Sequence, residues 1–380
     1  MHLTAAQRQI LETLWYDGPI SRSDLSNRLN MTPNAIGNIA AQLRLLGFVS
    51  EMPAEVVSRG RPKIPLRIDG RGPIIVGLSV GTRRVEACRV NLRGDLLSEP
   101  VVRHFAAGKS PLVAAARLLT ADIRHRGALI ALSVPGLVDQ ATGKILLSSA
   151  FPDARAHTVM PVIQAAGGIP LIVGNDLHAA AANWTLSHRN PAIDDVLLAN
   201  IADGQIGAAM LINGKPNRGC ILGANELGHT RLPIAAPPCY CGGKGCIERI
   251  FSSQYLADGR GESTHGLLAR RLEANARTDR RLQCAMSSLA LVLSNAVNFM
   301  RPARLVIATP FADCQPFIKQ IAKDVRQRLL THIASRMQIQ IWNQQITGSA
   351  HMAAWLGIAG IVLPGWNAYE AQLADTDRTA

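Results

Sequence analysis

Three cysteines, Cys239, Cys241 and Cys246, fall within eight residues, and His229 lies just upstream of them. Three thiolates and one imidazole make a closed tetrahedral set of the kind that holds zinc, and the glycines Gly242, Gly243 and Gly245 let the backbone fold tightly around an ion. With all four positions taken by protein, such a site is expected to be structural. Clustered cysteines in a chain with no secretory signal point to metal in a reducing compartment and away from disulfides.

The carboxylates and amides near this cluster suggest a second kind of chemistry. Glu226 precedes His229, Glu248 follows Cys246, and Asn175-Asp176 ends an apolar run. Groups of this type accept and donate hydrogen bonds to a polar ligand when they are held rigidly. Capping of the following helix is the alternative role for Asn175-Asp176.

Glu226-Leu227-Gly228-His229, followed by Cys239-Tyr240-Cys241-Gly242-Gly243-Lys244-Gly245-Cys246-Ile247-Glu248, resembles the signature of the ROK family of repressors, open reading frames and sugar kinases. Val173-Gly174-Asn175-Asp176, Val134-Pro135-Gly136-Leu137-Val138-Asp139, Asn213-Gly214-Lys215 and Arg218-Gly219 fall where that family places further motifs, and the resemblance runs from residue 74 to about 362. It implies an α/β fold, two-lobed, actin-like and sugar-kinase-like (ribonuclease H-like). It also implies that Asn175, Asp176, Glu226, His229 and Glu248 surround a hexose, with one His229 nitrogen on zinc and the other on a sugar hydroxyl.

Kinases of the family also need loops for ATP phosphates, and here the chain departs from the pattern. Ser79-Val80-Gly81-Thr82 stands where an Asp-x-Gly-Gly-Thr loop is expected, Asp203-Gly204-Gln205-Ile206-Gly207 replaces Gly-Thr-Gly-Ile-Gly, and Ala308-Thr309-Pro310 replaces a Gly-Gly. An aspartate in such a loop repels phosphate. Asp176, the general base of the kinases, is retained as a vestige. The expectation is a sensor and not an enzyme; an ATP-dependent hexose kinase with an appended DNA-binding domain is the alternative.

The elements that must position these groups are readable from periodicity. At 380 residues, 48% hydrophobic and 18% charged, the chain is globular and large enough for two or three folded units. Strands are expected near 74–80, 85–90, 129–134, 171–173, 195–201, 208–212 and 305–307. Helices are expected near 111–125, 176–187, 265–275 and 281–300. No apolar run is long enough to span a bilayer, and a cytoplasmic location without membrane insertion is expected.

The first seventy residues read differently, as three short helices and a hairpin. Leu3, Ile10, Leu11, Leu14 and Trp15 form one apolar stripe, and Ser21 caps a second helix. Thr32 caps a third, with Pro33 at its first position and Ile36, Ile39, Leu43 and Leu46 on its inner face. A hairpin of 48–51 with Val56-Val57 completes the pattern of a winged helix-turn-helix. Thr32, Asn34, Ala35 and Asn38 then face the major groove, where asparagine bonds adenine bidentately. Arg59-Gly60-Arg61-Pro62 matches both the Gly-Arg-Pro segment of ROK repressors and an AT-hook core, which places Arg59 and Arg61 in a minor groove. The alternatives are solvated asparagines and a plain basic linker.

The formal charge of +13 also suggests a polyanionic partner, but residues 1–70 carry eight basic against six acidic side chains. Net charge therefore says little about where DNA binds. The whole reads as a winged helix-turn-helix over 1–70 and a ROK domain over 71–380. One lobe of that domain is expected at about 74–190 plus a helix at about 347–362, the other at about 191–346. The expectation is a repressor of carbohydrate genes, with operator DNA, a sugar or sugar phosphate and a second copy of the chain as its partners.

Overall fold

The computed structural model describes residues 3–54, 62–106, 108–123, 127–139, 142–148, 151, 157–188, 195–217, 225–257, 264–273, 280–343 and 349–366. They divide into two compact units, one of Met1–Leu146, Asp153–Asn190 and Thr347–Ala380, the other of Leu147–Pro152 and Pro191–Ile346.

The first unit opens with a helical module. Thr4 and Gln7 form a reciprocal capping box at the start of Ala5–Asp17, and Gly18, at φ 75°, ends that helix. Ser21 caps Arg22–Leu29 by accepting from the Asp24 N–H, and Thr32 caps Pro33–Leu45 by accepting from the Ala35 N–H. Ile36, Ala40 and Leu43 are the buried face of the third helix. Leu46, expected on that face, is exposed, and Ile39 is only half-buried.

The strand Val49–Glu51 pairs antiparallel with Pro65–Ile68, which also takes Ile20–Ser21 on its other edge. This corrects the expected hairpin: the return strand lies in the segment read as a turn-rich junction. Leu66 and Ile68 point into the module and Arg67 points out, so a short alternating strand hides behind Pro65. Val56 and Val57, with Arg59 and Arg61, lie outside the described residues.

Beyond the module, each unit holds a five-stranded sheet of the same design. In the first, the order is Val101–His104, Arg84–Val90, Ile75–Val80, Leu129–Val134, Leu171–Asn175. In the second, it is Lys215–Pro216, Gln205–Ile212, Val196–Ala202, Arg304–Ala308, Gln338–Trp342. Both start from an antiparallel hairpin and add two parallel strands to its first strand. Parallel strands need covering on both faces, which explains why the central ones are buried along their length.

In the second unit Arg280–Met300 supplies much of that cover. It is 21 residues long and apolar enough on average to cross a membrane. However, Leu282, Ala285, Met286, Leu289, Val292, Leu293 and Val297 form one buried stripe against the unit's core, as in a core helix.

In the first unit the cover is Ala350–Val362, whose residues are buried on nearly every side. It approaches the sheet so closely that a Cβ on Gly77 would collide with the carbonyl oxygen of Ala350. The module's first helix seats against the end of this element. Arg8, buried, donates to the carbonyls of Gly360 and Ile361 (3.0 Å to Ile361), where a helix C-terminus runs out of intrahelical donors. Trp15 Nε1 donates to Leu186 O at 2.7 Å and Tyr16 Oη to Thr185 O at 3.3 Å, at the end of Asp176–Ser187. The Trp15 ring also meets Trp355 edge to face.

Replacing Gly77 by alanine should overpack this contact and cost about 1–3 kcal/mol. A lower denaturation midpoint with the slope unchanged is the expected reading in urea.

Candidate functional site

In the second unit, the hairpin Val196–Ala202 and Gln205–Ile212 carries the turn Leu227–His229, and a bridge from Arg231 to Cys246 closes the loop between them. The backbone N–H of Ile247 donates to Thr230 O at 3.0 Å and that of Leu232 to Gly245 O at 2.8 Å. Gly245 sits at φ 73°, and a Cβ there would strike the Leu232 carbonyl, so the loop can close at this point only on glycine.

This closure brings His229, Cys239, Cys241 and Cys246 together, with their ligand atoms all within 4.8 Å of one another. Cys239 Sγ lies 3.6 Å from His229 Nδ1, and Cys241 Sγ 3.7 Å from Cys246 Sγ. Zinc–sulfur bonds of ~2.3 Å set tetrahedrally give sulfur–sulfur edges of ~3.8 Å. The donor set therefore has both the chemistry and the spacing for a tetrahedral metal.

The electrostatics favour the same occupant. Burial pushes the Cys239 thiol up to about 12 and raises Cys246 as well, so two of the thiols need a cation to ionise. For Cys241 burial also opposes ionisation, but the Gly243 N–H and the neighbouring thiols outweigh it and hold the group below the usual range. Burial, helped by the Arg231 cation, lowers His229 and keeps its imidazole neutral, the form that binds metal. Three thiolates around a divalent ion leave one negative charge, which the Arg231 guanidinium beside Gly243 offsets.

Nδ1 of His229 faces the sulfurs, and Nε2 lies 3.8 Å from Glu226 Oε2. Glu248 is 3% exposed, which for a carboxylate demands partners. Tyr240 Oη donates to its Oε2 at 3.0 Å, and His229 Nδ1 lies 3.8 Å from the same oxygen. Burial, then the Glu248 charge, raises the Tyr240 phenol and keeps it a donor. Burial also raises the Glu226 carboxyl. Tyr240 and Arg231 were not singled out in the sequence, although both stand within two residues of a metal-ligand candidate.

Asn175 and Asp176 belong to the first unit. Asn175 is the N-cap of Asp176–Ser187, accepting from the Leu177 N–H at 2.7 Å, while its Nδ2 donates to Gly136 O at 2.7 Å. The capping role is thus real, and Asp176 stands buried at the first position of the helix.

The segments standing where nucleotide loops are expected spend their donors internally. Gly81 N–H donates to Arg84 O at 2.9 Å, and Gly204 N–H to Phe251 O at 3.1 Å. Asp203 accepts the Ser253 N–H at 2.6 Å. Thr309 is fully buried and accepts the Phe311 N–H at 3.1 Å.

On the helical module, Thr32, Asn34 and Asn38 are exposed and Ala35 is half-buried. Asn34 and Asn38 stand one turn apart on the face opposite Ile36, Ala40 and Leu43. Arg59, Arg61, Arg218 and Gly219 lie outside the described residues.

The ROK family profile matches residues 75–362. The chain is 22% identical over 360 residues to the DNA-binding transcriptional repressor Mlc of Escherichia coli K12, across 88% of each protein. A xylose repressor of Caldicellulosiruptor bescii, at 24% identity, and the DNA-binding transcriptional dual regulator NagC of Escherichia coli K12, at 25%, are matched over 63% and 59% of their own length and 65% and 62% of this chain. Among solved structures, a ROK family transcriptional regulator described as a homologue of the E. coli Mlc protein superposes with a TM-score of 0.72 at 22% identity, covering 95% of this chain and 98% of that one. A ROK family glucokinase from Streptomyces griseus, in complex with glucose and AMPPNP, gives 0.57 at 21% identity, covering 74% of this chain and 97% of that one.

Replacing Cys246 by serine should remove the bound divalent metal. Metal analysis of the purified protein, alongside a thiol titration that finds the remaining cysteines reactive, is the check.

Proposed function

The chain belongs to the ROK family, and from that premise we propose that it is a DNA-binding transcription regulator of the repressor type, whose kinase-like domain senses a sugar or sugar phosphate without phosphorylating it. The N-terminal module is read as a winged helix-turn-helix. The observation that carries this is the module itself: a capped helix with an exposed amide face, on a chain whose relatives over most of their length are repressors. Thr32, Asn34, Ala35 and Asn38 read base edges in the major groove, and Arg59 and Arg61 add minor-groove contacts.

The metal is zinc, held by His229, Cys239, Cys241 and Cys246, and its role is structural because no open ligand position is left. It orders the loop carrying Tyr240 and fixes His229 so that Nε2 is free for a sugar hydroxyl beside Glu226 and Glu248. Asn175 and Asp176, on the first unit, are the other sugar-reading groups that the resemblance implies. The chain acts in the cytoplasm as a homodimer, matching the two-fold symmetry of an operator.

The kinase reading has weaker support. Phosphate loops work by presenting free backbone N–H groups. Here Gly81 and Gly204 donate to carbonyls, Asp203 brings a negative charge, and the Thr309 side chain fills a position that needs glycine.

Selection of duplexes from a random pool should yield an operator, and Asn38→Ala should then cost about 1–3 kcal/mol of discrimination at one base pair. Equal affinity for the operator and unrelated DNA in the unaltered chain would overturn the reading. In a panel of sugars and sugar phosphates, the effector at 100 times its Kd should stabilise the protein by about 2.7 kcal/mol. Glu248→Gln should abolish that shift. The same sugar with ATP should release no ADP; turnover lost in Asp176→Asn would favour the kinase.

A further inference from the structure

The helical module is nearly neutral by count, and the structure explains how its charges are arranged. Asp17 holds Arg28 at 2.9 Å and Asp24 holds Lys63 at 2.8 Å, each carboxylate matched to one cation. Glu51 is different. Its Oε1 is shared by two guanidiniums, those of Arg22 and Arg44, the latter at 3.0 Å.

One carboxylate against two guanidiniums leaves a cluster with one unit of positive charge. Its side chains are 39%, 55% and 30% exposed for Arg22, Arg44 and Glu51, so the charge is available to solvent. Arg67 adds a further cation on the neighbouring strand, where it donates to Ser50 Oγ at 3.4 Å.

Placement gives this surplus a meaning. Arg22 is the first residue of Arg22–Leu29, Arg44 is in the last turn of Pro33–Leu45, and Glu51 ends Val49–Glu51. The cluster thus ties together the helix that precedes the recognition helix, the recognition helix itself and the wing strand. Exposed ion pairs add little to stability. A cation in the first turn of a helix also stands at the unfavourable end of its dipole, so Arg22 is poorly placed as a fold stabiliser.

We propose that Arg22 and Arg44, held side by side by Glu51, form a clamp for DNA backbone phosphate next to the recognition helix. The proposal rests on the DNA-binding reading and adds to it residues that fix the helix on the duplex without reading sequence. Glu51 is a positioning residue. It accepts one N–H from each guanidinium; the Arg22 Nε is buried, and the other donors are left for phosphate oxygens, which suit the planar, multi-donor geometry of arginine.

Phosphate contacts are countable without knowing the operator, because each one neutralised contributes about 0.9 to the slope of log K against log salt. The test uses the full chain and a mixed-sequence duplex of about 30 base pairs, with binding followed by fluorescence anisotropy from about 50 to 200 mM NaCl. Arg22→Ala with Arg44→Ala should flatten the slope by about 0.9 or more, while the melting temperature stays close to that of the unaltered chain. Arg22→Lys with Arg44→Lys should restore the slope, since charge is retained. Arg93→Ala, which removes a cation paired with Asp95 outside the module, should leave it unchanged. An unaltered slope in the double alanine variant overturns the clamp but not the DNA reading. Absence of duplex binding by the unaltered chain at low salt overturns both.

Discussion

A helix that is apolar on every side must be covered on every side, and Ala350–Val362 imposes that demand on the whole first unit. The sheet takes one face, with Gly77 allowing the close approach, and Asp176–Ser187 packs along another. What remains is the helix end, where carbonyls point out with no N–H to meet them. Arg8 supplies the donors and a buried positive charge at the negative end of the dipole. The first helix of the chain is therefore seated by hydrogen bonds of fixed direction, and Trp15 and Tyr16 extend the same logic to the last carbonyls of Asp176–Ser187. The N-terminal helical module, on this arrangement, is part of the unit that carries Asn175 and Asp176.

The second unit solves a different problem. The connection from His229 to Cys246 is largely without regular secondary structure, and its buried thiols Cys239 and Cys246 resist ionisation. A divalent ion would answer both needs, since it stabilises the thiolates and ties the loop in one step. The consequences reach past the ion. Nδ1 of His229 is committed to the sulfur side, which fixes the ring and leaves Nε2 toward Glu226, and Tyr240 holds the buried Glu248 carboxylate in one orientation. A rigid set of acceptors of this kind suits recognition of hydroxyls. Meanwhile the backbone N–H groups of Gly81 and Gly204 are committed to carbonyls of the chain, and Asp203 to the Ser253 N–H.

Some of this was legible in the residues. The caps at Ser21 and Thr32 and the strands of both sheet centres announce themselves through local chemistry and period. The four metal-ligand candidates do so through density and glycines. The edge strands Val101–His104 and Gln338–Trp342 were not read. The first is largely exposed and lacks a buried face, and neither has a core-strand run of apolar residues. The helix Gln315–Arg328 was also missed, although its stripe of Phe317, Ile321 and Val325 has helical spacing.

The sequence by itself determined which residues cap, which could ligate a metal and which alternate, because those properties are settled by neighbours a few positions away. Only the tertiary structure decided that Pro65–Ile68 is the partner of Val49–Glu51, that Glu51 gathers Arg22 and Arg44, and that Arg8 meets the carbonyl of Gly360, 352 residues further along the chain. Such pairings depend on where the packed elements come to rest. A single cation or carboxylate carries no period that would reveal its distant partner in advance.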